Sequence, residues 1–198
     1  MTLGFHSSNI PVLMTLEERI SRLEDIESIR YLQSKYQRCL DTRDFDGLAD
    51  CFTDDVTSSY GNGSMSYQGK EAVMEFLCSV MKLDMPSTHL IHGGEIDILS
   101  PDTATAKWYL EDHLLHEKFL VELHGAAIYT VQYAKAEGCW RIKDIGYERC
   151  YEYVEARGLL NILTLRKKTF LKRVKKSDPA KLGRYGQLFQ YKVLKKKK

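Results

Sequence analysis

The stretch TATAKWYLEDHLLH, from Thr103 to His116, decides the fold of this 198-residue chain. Its side chains alternate with a period of two, as in a β-strand that buries one face. The other face carries polar residues, and the apolar face carries Ala104, Ala106, Trp108, Leu110, Asp112 and Leu114. A carboxylate on a buried face must be paired, neutralised or placed beside a wet cavity, because burying it alone is costly. Asp112 therefore marks a candidate site.

Three further β-like runs accompany this strand, over about 87–99, 119–135 and 139–152. The breaks between consecutive runs are short and contain Pro101-Asp102, Glu117-Lys118 and Glu137-Gly138. Short breaks imply antiparallel neighbours, so the sequence predicts a meander.

Helical patterns precede the strands. Thr15 and Glu18 are spaced as a capping box, and an apolar stripe predicts a helix that ends near Asp41. A short helix over about 45–52 should follow, with Asp44 as its cap. A hairpin of 56–60 and 64–68 around a Gly-Asn-Gly turn comes next, and then a helix over 70–81. Helices followed by an antiparallel sheet predict an α+β fold, in which the helices close the concave face of a curved sheet and leave a pocket.

The chain length fits one domain with some extra sequence, and residues 1–13 resemble a flexible leader. From Arg166 onward fourteen Lys and Arg accompany one acid, Asp178, whereas fifteen accompany twenty-six acids in the preceding residues. A mildly acidic domain thus carries a basic extension. Such a segment could contact nucleic acid or anionic lipid, but it holds no nucleic-acid-binding motif. We predict a solvated extension and no nucleic-acid partner.

Several classes of protein lose support from the sequence. No apolar stretch could span a bilayer and residues 1–13 lack the features of a secretory signal, which predicts a cytoplasmic protein. The five cysteines are odd in number and include no C-x-x-C pair, which argues against a disulfide framework and a cysteine zinc site. Dinucleotide, P-loop, zincin and serine-hydrolase motifs do not occur. We expect neither a cofactor nor a metal.

The first predicted helix and the strand near residue 90 carry candidate proton-transfer groups. Tyr36 lies on the buried stripe of the helix, and Asp41 lies near its C-terminal end, where the helix dipole favours a cationic partner such as a histidinium. Capping of the following turn is the alternative role for Asp41. His89 and His92 have opposite parity, so only one faces the pocket unless the neighbouring glycines form a bulge. The residue pattern does not choose between them.

The last predicted strand places Ile145, Tyr147, Arg149 and Tyr151 at alternate positions. A guanidinium among tyrosines suits a carboxylate or a polar group on a largely apolar ligand, and an ion pair in an oligomer interface is an equal alternative. A set of Tyr, His, two Asp and Arg around one pocket can transfer protons without a cofactor.

Three segments resemble the bile acid 7α-dehydratases, which belong to the SnoaL-like branch of the nuclear transport factor 2-like superfamily. These segments are KYQRCLD from Lys35, WYLED from Trp108 and GYERCYE from Gly146. Together with the segment Met14 to Arg19, they extend the similarity over roughly residues 14–153. The resemblance implies a cone-shaped α+β barrel, a dehydratase domain over 14–153 followed by a basic extension over 154–198, and a homotrimer.

Carried over by position, the resemblance places the family's functional residues on Tyr36, Asp41, His89, Asp112 and Arg149, and so selects His89 over His92. The implied reaction is loss of water from a 7α-hydroxy-3-oxo-4-ene, bile-acid-like steroid. His89 would act as the base, Asp41 would orient its ring, and Tyr36 is the favoured acid. Asp112 would transfer a proton or hold Tyr36 and a water, and Arg149 would position Asp112 or a substrate oxygen. The residues expected to line the substrate pocket are Tyr60, Trp108, Tyr147 and Tyr151.

Two alternatives stay open. Polyketide cyclases, ketosteroid-type isomerases and dehydrochlorinases share this fold, and a fold alone does not separate their reactions. The other alternative is a small-molecule-binding protein whose pocket does not react.

Overall fold

The first helix, α1, spans Leu16–Thr42. The structure is a computed structural model that describes residues 14–116, 120–156 and 183–184. Its predicted capping box is present: the Thr15 hydroxyl accepts from the Glu18 N–H, and the Glu18 carboxylate accepts from the Thr15 N–H. The buried stripe includes Ile29, Leu32 and Tyr36, as the 3.6-residue spacing predicts.

Two shorter helices and a hairpin follow α1. The second helix is shorter than predicted, because the chain already enters a strand at Phe52, a fully buried residue. Asp44 caps it as expected, by accepting from the Gly47 N–H. The elements are α2 (Phe45–Ala49), β1 (Phe52–Tyr60), β2 (Met65–Gln68) and α3 (Lys70–Val80).

Four long strands form the predicted antiparallel meander: β3 (Ser87–Ser100), β4 (Thr103–His116), β5 (Val121–Ala136) and β6 (Cys139–Ala156). The full sheet has the order β2-β1-β6-β5-β4-β3. Strand β1 lies parallel to β6, so the sheet is mixed. The molecule is an α+β cone of helices against a curved sheet, as predicted, but the sheet is open and does not close into a barrel.

The two faces of the sheet differ as the sequence of β4 predicts. Ala104, Trp108 and Asp112 are buried on the inner face, which α1 covers. Gly94 of β3 lets the Trp108 ring pack against the strand, since a Cβ at Gly94 would lie 2.3 Å from that ring. The inner face therefore contains both the hydrophobic core and the charged side chain of Asp112.

One predicted face is wrong. The sequence pattern placed Tyr147, Arg149 and Tyr151 together, but an irregularity in the β5–β6 pairing inserts Cys150 as an extra residue. Ala127 then pairs with Arg149 on the inner face, and Ala126 pairs with Tyr151 on the outer face. Tyr151 is 57% exposed there and cannot line an inner pocket.

The predicted leader, residues 1–13, lies outside the described residues, as does most of the predicted basic extension. Strand β6 itself continues to Ala156, past the expected domain end at 153. Across the described segments, no helix has the length and apolar character needed to cross a membrane.

Candidate active site

Asp41 and His89 form a hydrogen-bonded dyad between α1 and β3. Nδ1 of His89 lies 2.6 Å from Oδ1 of Asp41, and the His89 backbone N–H donates to Oδ2 at 2.8 Å. The Ser87 hydroxyl also donates to Oδ1, at 2.8 Å. The His89 side chain is 8% exposed. Because a carboxylate holds Nδ1, the ring is fixed in the orientation in which Nε2 is the atom left for proton transfer.

The choice between the two histidines follows from this geometry. His92 has the opposite parity and lies on the outer face, where its Nε2 is 3.4 Å from the exposed carboxylate of Glu111. The negative charge at the C-terminal end of α1 thus has the imidazole of His89 as its partner, as the helix-dipole argument predicts.

Arg43 fixes the position of Asp41, and sequence reasoning missed it. This buried residue follows α1 with φ of 59°, and its guanidinium donates to the Asp41 carbonyl and the Ser87 hydroxyl, both at 2.7 Å. It also donates to the carbonyls of Lys82 and Met85. Burial lowers the pKa of Arg43 to about 10, against the opposing effect of the Asp41 carboxylate. The guanidinium ties the end of α1 to the segment that leads into β3.

Asp112 and Arg149 form a bidentate ion pair on the inner face. The guanidinium donates to both carboxylate oxygens, at 2.7 and 2.8 Å, and Asp112 is only 4% exposed. Burial is the largest single influence on the pKa of Arg149 and would lower it, but the hydrogen bond to Asp112 and the nearby negative charges together raise that pKa above its ordinary value. The buried carboxylate of Asp112 is therefore paired, which is one of the outcomes expected for it, and it acts as a fixed hydrogen-bond acceptor.

The ion pair and the dyad lie side by side. His89 is the direct cross-strand partner of Asp112, and Asp112 is the partner of Gly125 on the next strand. Directly opposite residues share one face of a sheet with Cβ atoms about 5 Å apart. Gly125 leaves the room that the pair needs, since a Cβ there would lie 2.3 Å from the Arg149 guanidinium and 2.6 Å from Asp112.

A cluster of phenols adjoins the ion pair. The hydroxyls of the buried residues Tyr36 and Tyr60 are 3.5 Å apart. Tyr147 packs against Tyr60 and Tyr129, and the Arg149 guanidinium lies 4.9 Å from the centre of its ring. Burial raises the pKa of Tyr36 and Tyr129 well above the ordinary range, and that of Tyr60 to about 12. These phenols hold their protons at neutral pH and so can donate hydrogen bonds.

The remaining predicted pocket residue, Trp108, is buried but has its polar atom engaged. Its indole N–H donates to the Tyr133 hydroxyl at 3.0 Å, which donates to Oε1 of Gln33 at 2.7 Å. The indole N–H of Trp108 is therefore not available to a ligand.

Gln37 is a second polar residue that sequence reasoning missed. It lies one helical turn from Gln33 and one from Asp41, so the three side chains share a stripe of α1. Gln37 is 4% exposed, and neither amide atom has a hydrogen-bond partner among the described residues. A buried amide without a partner costs roughly 1–3 kcal/mol, so we expect a ligand or water oxygen beside it. The visible signal was a glutamine within an apolar stripe.

A cavity of about 350 Å³ also lies against the sheet, but on its outer face. Ser59, Thr130 and Asp144 line it, and all three have the parity of outward-facing residues. Tyr147 of the phenol cluster also lines this cavity, but neither the dyad nor the Asp112–Arg149 pair does.

Comparisons with known proteins agree with the fold. A family model for the SnoaL-like domain matches residues 21–145. The chain is similar to a hexachlorocyclohexane dehydrochlorinase from Novosphingobium barchaimii LL02, with 20% identity over 70% of this chain and 94% of that one and a TM-score of 0.64. It is also similar to a scytalone dehydratase-like protein from Novosphingobium aromaticivorans DSM 12444, with 18% identity over 73% of this chain and 99% of that one and a TM-score of 0.64. At these identities the structural likeness shows the fold alone.

Proposed function

The chain belongs to the SnoaL-like domain family, and from that premise we propose that it is a cofactor-independent carbon–oxygen lyase. Its proposed substrate is a hydroxysteroid of the 7α-hydroxy-3-oxo-4-ene type. One observation carries the proposal: a part-buried His89–Asp41 dyad lies beside the Asp112–Arg149 pair on the face that α1 covers. The solved relatives that are described as a dehydrochlorinase and a dehydratase-like protein are in keeping with elimination chemistry.

The base in this proposal is Nε2 of His89. It removes a carbon-bound proton from the position that the conjugated ketone activates, and Asp41 stabilises the imidazolium that forms. A positioned base contributes roughly 10²–10⁴-fold to the rate. Ser87 contributes indirectly, because its hydroxyl donates to the carboxylate that orients the ring. Arg43 contributes through its bonds to the Asp41 backbone carbonyl and to the Ser87 hydroxyl.

The acid in this proposal is Tyr36. Hydroxide is a poor leaving group, so the departing oxygen needs a proton, and a buried phenol with a raised pKa still carries one at neutral pH. Tyr60 lies next to it and can replace the hydrogen bond that Tyr36 gives up. The bidentate bond to Arg149 makes Asp112 a fixed acceptor for Tyr36, a water or a substrate hydroxyl.

The proposed substrate is largely apolar, as is the lining expected for it. Tyr60 and Trp108 are buried and Tyr147 is partly buried against the core, and in this proposal their rings face the steroid nucleus. A largely apolar ligand with a few oxygens would pair with the few polar groups that this face offers.

The experiment is a direct dehydration assay. Purified protein is incubated with 7α-hydroxy-3-oxo-4-ene steroids that differ in side chain, and the conjugated dienone is followed by absorbance and by the mass of the product. We expect dienone to form with loss of one water. If no steroid of the series is dehydrated, the substrate assignment is wrong.

The proposal extends to assembly. The outer face of the sheet exposes Leu90, Tyr109 and Tyr151, each about half or more accessible. Large apolar side chains gathered on one sheet face are typical of an interface, and burying them against further copies would give the expected homotrimer. Light scattering on the purified chain measures this directly: a monomer in solution would contradict it.

A further inference from the structure

Two histidines and one glutamate converge on the outer face of the sheet, away from the proposed active site. His113 of β4 is the direct cross-strand partner of His124 of β5, and their rings stack with centroids 4.1 Å apart and planes 16° apart. Glu122 lies two residues before His124 and so projects from the same face. Both imidazole Nε2 atoms approach the same carboxylate oxygen, Oε2 of Glu122, at 3.1 and 3.3 Å.

From this convergence we propose that His113, Glu122 and His124 bind a divalent transition-metal ion, with Zn²⁺ as the probe that tests the site. One ligand atom from each residue lies within 4.8 Å of the other two. This site goes beyond the dehydratase activity and does not depend on it.

Two of the three distances between the ligand atoms already fit a metal centre. Zinc binds imidazole nitrogen and carboxylate oxygen at about 2.0–2.2 Å, so neighbouring ligands of a tetrahedral ion lie roughly 3.3 Å apart. The two nitrogen–oxygen distances, 3.1 and 3.3 Å, already have this value. The two nitrogens would approach each other by rotation of the His113 ring, whose side chain is 44% exposed. Solvent would take the fourth position.

The surrounding charge also favours a cation. Glu155 of β6 is the direct cross-strand partner of Glu122, so two carboxylates project side by side next to the imidazoles. Like charges directly opposite each other on a sheet repel, and a divalent ion between them would replace that repulsion with attraction. Imidazole nitrogen with carboxylate oxygen suits zinc, nickel and copper, whereas magnesium prefers oxygen alone.

The position gives the ion a role. His113 and His124 are the chain neighbours of Asp112 and Gly125, the cross-strand partners beside which the Arg149 guanidinium packs on the inner face. An ion held by both strands would fix the register of β4 against β5 directly behind that ion pair.

The test is zinc titration of the full, untagged chain after removal of metal with a chelator. The exposed thiols of Cys139 and Cys150 are first blocked with iodoacetamide, because thiolates also bind zinc. We expect one equivalent of Zn²⁺ to bind in competition with a chromophoric chelator and the melting temperature to rise with its concentration. Magnesium should have neither effect.

Variants identify the ligands. The double variant His113→Asn/His124→Asn should lose at least tenfold in zinc affinity, since losing only an outer partner of a ligand costs about 10–100-fold. His92→Asn is the matched control, because it removes another histidine from the same face. Equal zinc binding by parent and double variant, or no zinc binding by the parent, would overturn the proposal.

A labelling measurement on the parent chain keeps the test valid if the double variant does not fold. Diethyl pyrocarbonate modifies accessible imidazoles, and mass spectrometry locates each adduct. Zinc should lower the labelling of His113 and His124 and leave the labelling of His92 unchanged. Unchanged labelling of all three histidines in the presence of zinc would overturn the proposal as well.

Discussion

At the scale of single residues, removing the Gln37 amide should stabilise the fold and weaken substrate binding. Its amide is buried without a partner, which costs the folded chain free energy unless a ligand or water bonds to it. Gln37→Leu should therefore raise the free energy of unfolding by about 1–2 kcal/mol. The same change should raise KM for the steroid about 2- to 10-fold, the worth of one hydrogen bond. Thermal melts and steady-state kinetics measure the two effects.

Gln33, one helical turn earlier, is the matched control for Gln37. Its Oε1 accepts from Tyr133, whose hydroxyl in turn accepts from the Trp108 indole. Gln33→Leu breaks this chain and should lower stability, opposite in sign to Gln37→Leu. Two changes of the same sign would mean that Gln37 is satisfied inside the fold and is not available to a ligand.

A substitution at Gly125 tests the described position of the Asp112–Arg149 ion pair. A Cβ at this position would overlap both Arg149 and Asp112. Gly125→Ala should therefore lower the free energy of unfolding by about 1–3 kcal/mol, as overpacking does, and should also lower kcat. Ala126→Ser, one residue along and on the opposite face, should change neither quantity appreciably. A Gly125→Ala variant as stable and active as the parent would place the Asp112–Arg149 pair elsewhere.

At the scale of elements, Arg43 joins the end of α1 to the segment before β3. Arg43→Lys keeps the charge but cannot reproduce the planar fork that reaches both the Asp41 carbonyl and the Lys82 carbonyl. We expect a loss of stability on the order of 2 kcal/mol, measured by denaturant unfolding. Because Asp41 loses its support, kcat should fall more than KM changes. Arg38→Lys on the same helix is the control, and an equal effect of both variants would contradict the assigned role.

The helices and the meander could be predicted because each depends on local periodicity. The capping box at Thr15 and Glu18 and the alternation through Asp112 are visible in a few consecutive residues. The parallel contact of β1 with β6 joins residues nearly ninety positions apart, which no local pattern encodes. The bulge inserts Cys150 as an extra residue, and the surrounding residue types do not mark the insertion. The period-two pattern therefore assigned Tyr151 to the wrong face.

The candidate site was predictable in part for the same reason. Asp112 was conspicuous as a charge on an apolar face, whereas the partner of Asp41 depended on which of two histidines faced inward. Arg43 left no signal at all, since a left-handed residue after a helix is usually glycine or asparagine.

At the scale of the whole molecule, buried acidic protons link folding to alkaline pH. Burial raises the pKa of Tyr60 from 10.0 to about 12, and it also raises the pKa of Tyr36 and of Tyr129 well above the ordinary value. A group whose pKa is higher in the folded state stabilises the fold below its unfolded pKa, and that stability is lost as pH rises through the folded value. The lowered pKa of Arg43 acts in the opposite sense, but the three phenols outnumber it.

Stability should therefore fall as pH rises from 10 toward 12. Circular dichroism melts give the stability, and the absorbance of tyrosinate reports the deprotonation of the phenols. We expect the buried phenols to ionise together with unfolding. Ionisation of every tyrosine near pH 10 in an intact fold would contradict the described burial.

Two single variants in the dehydration assay show whether His89 is the catalytic base. His89→Ala and His92→Ala remove one imidazole each from the same strand, but only His89 contacts Asp41. With the 7α-hydroxy-3-oxo-4-ene steroid as substrate, we expect His89→Ala to lower kcat by about 10²–10⁴-fold and His92→Ala to stay close to the parent rate. Equal turnover by the parent and a folded His89→Ala variant would mean that His89 is not the base.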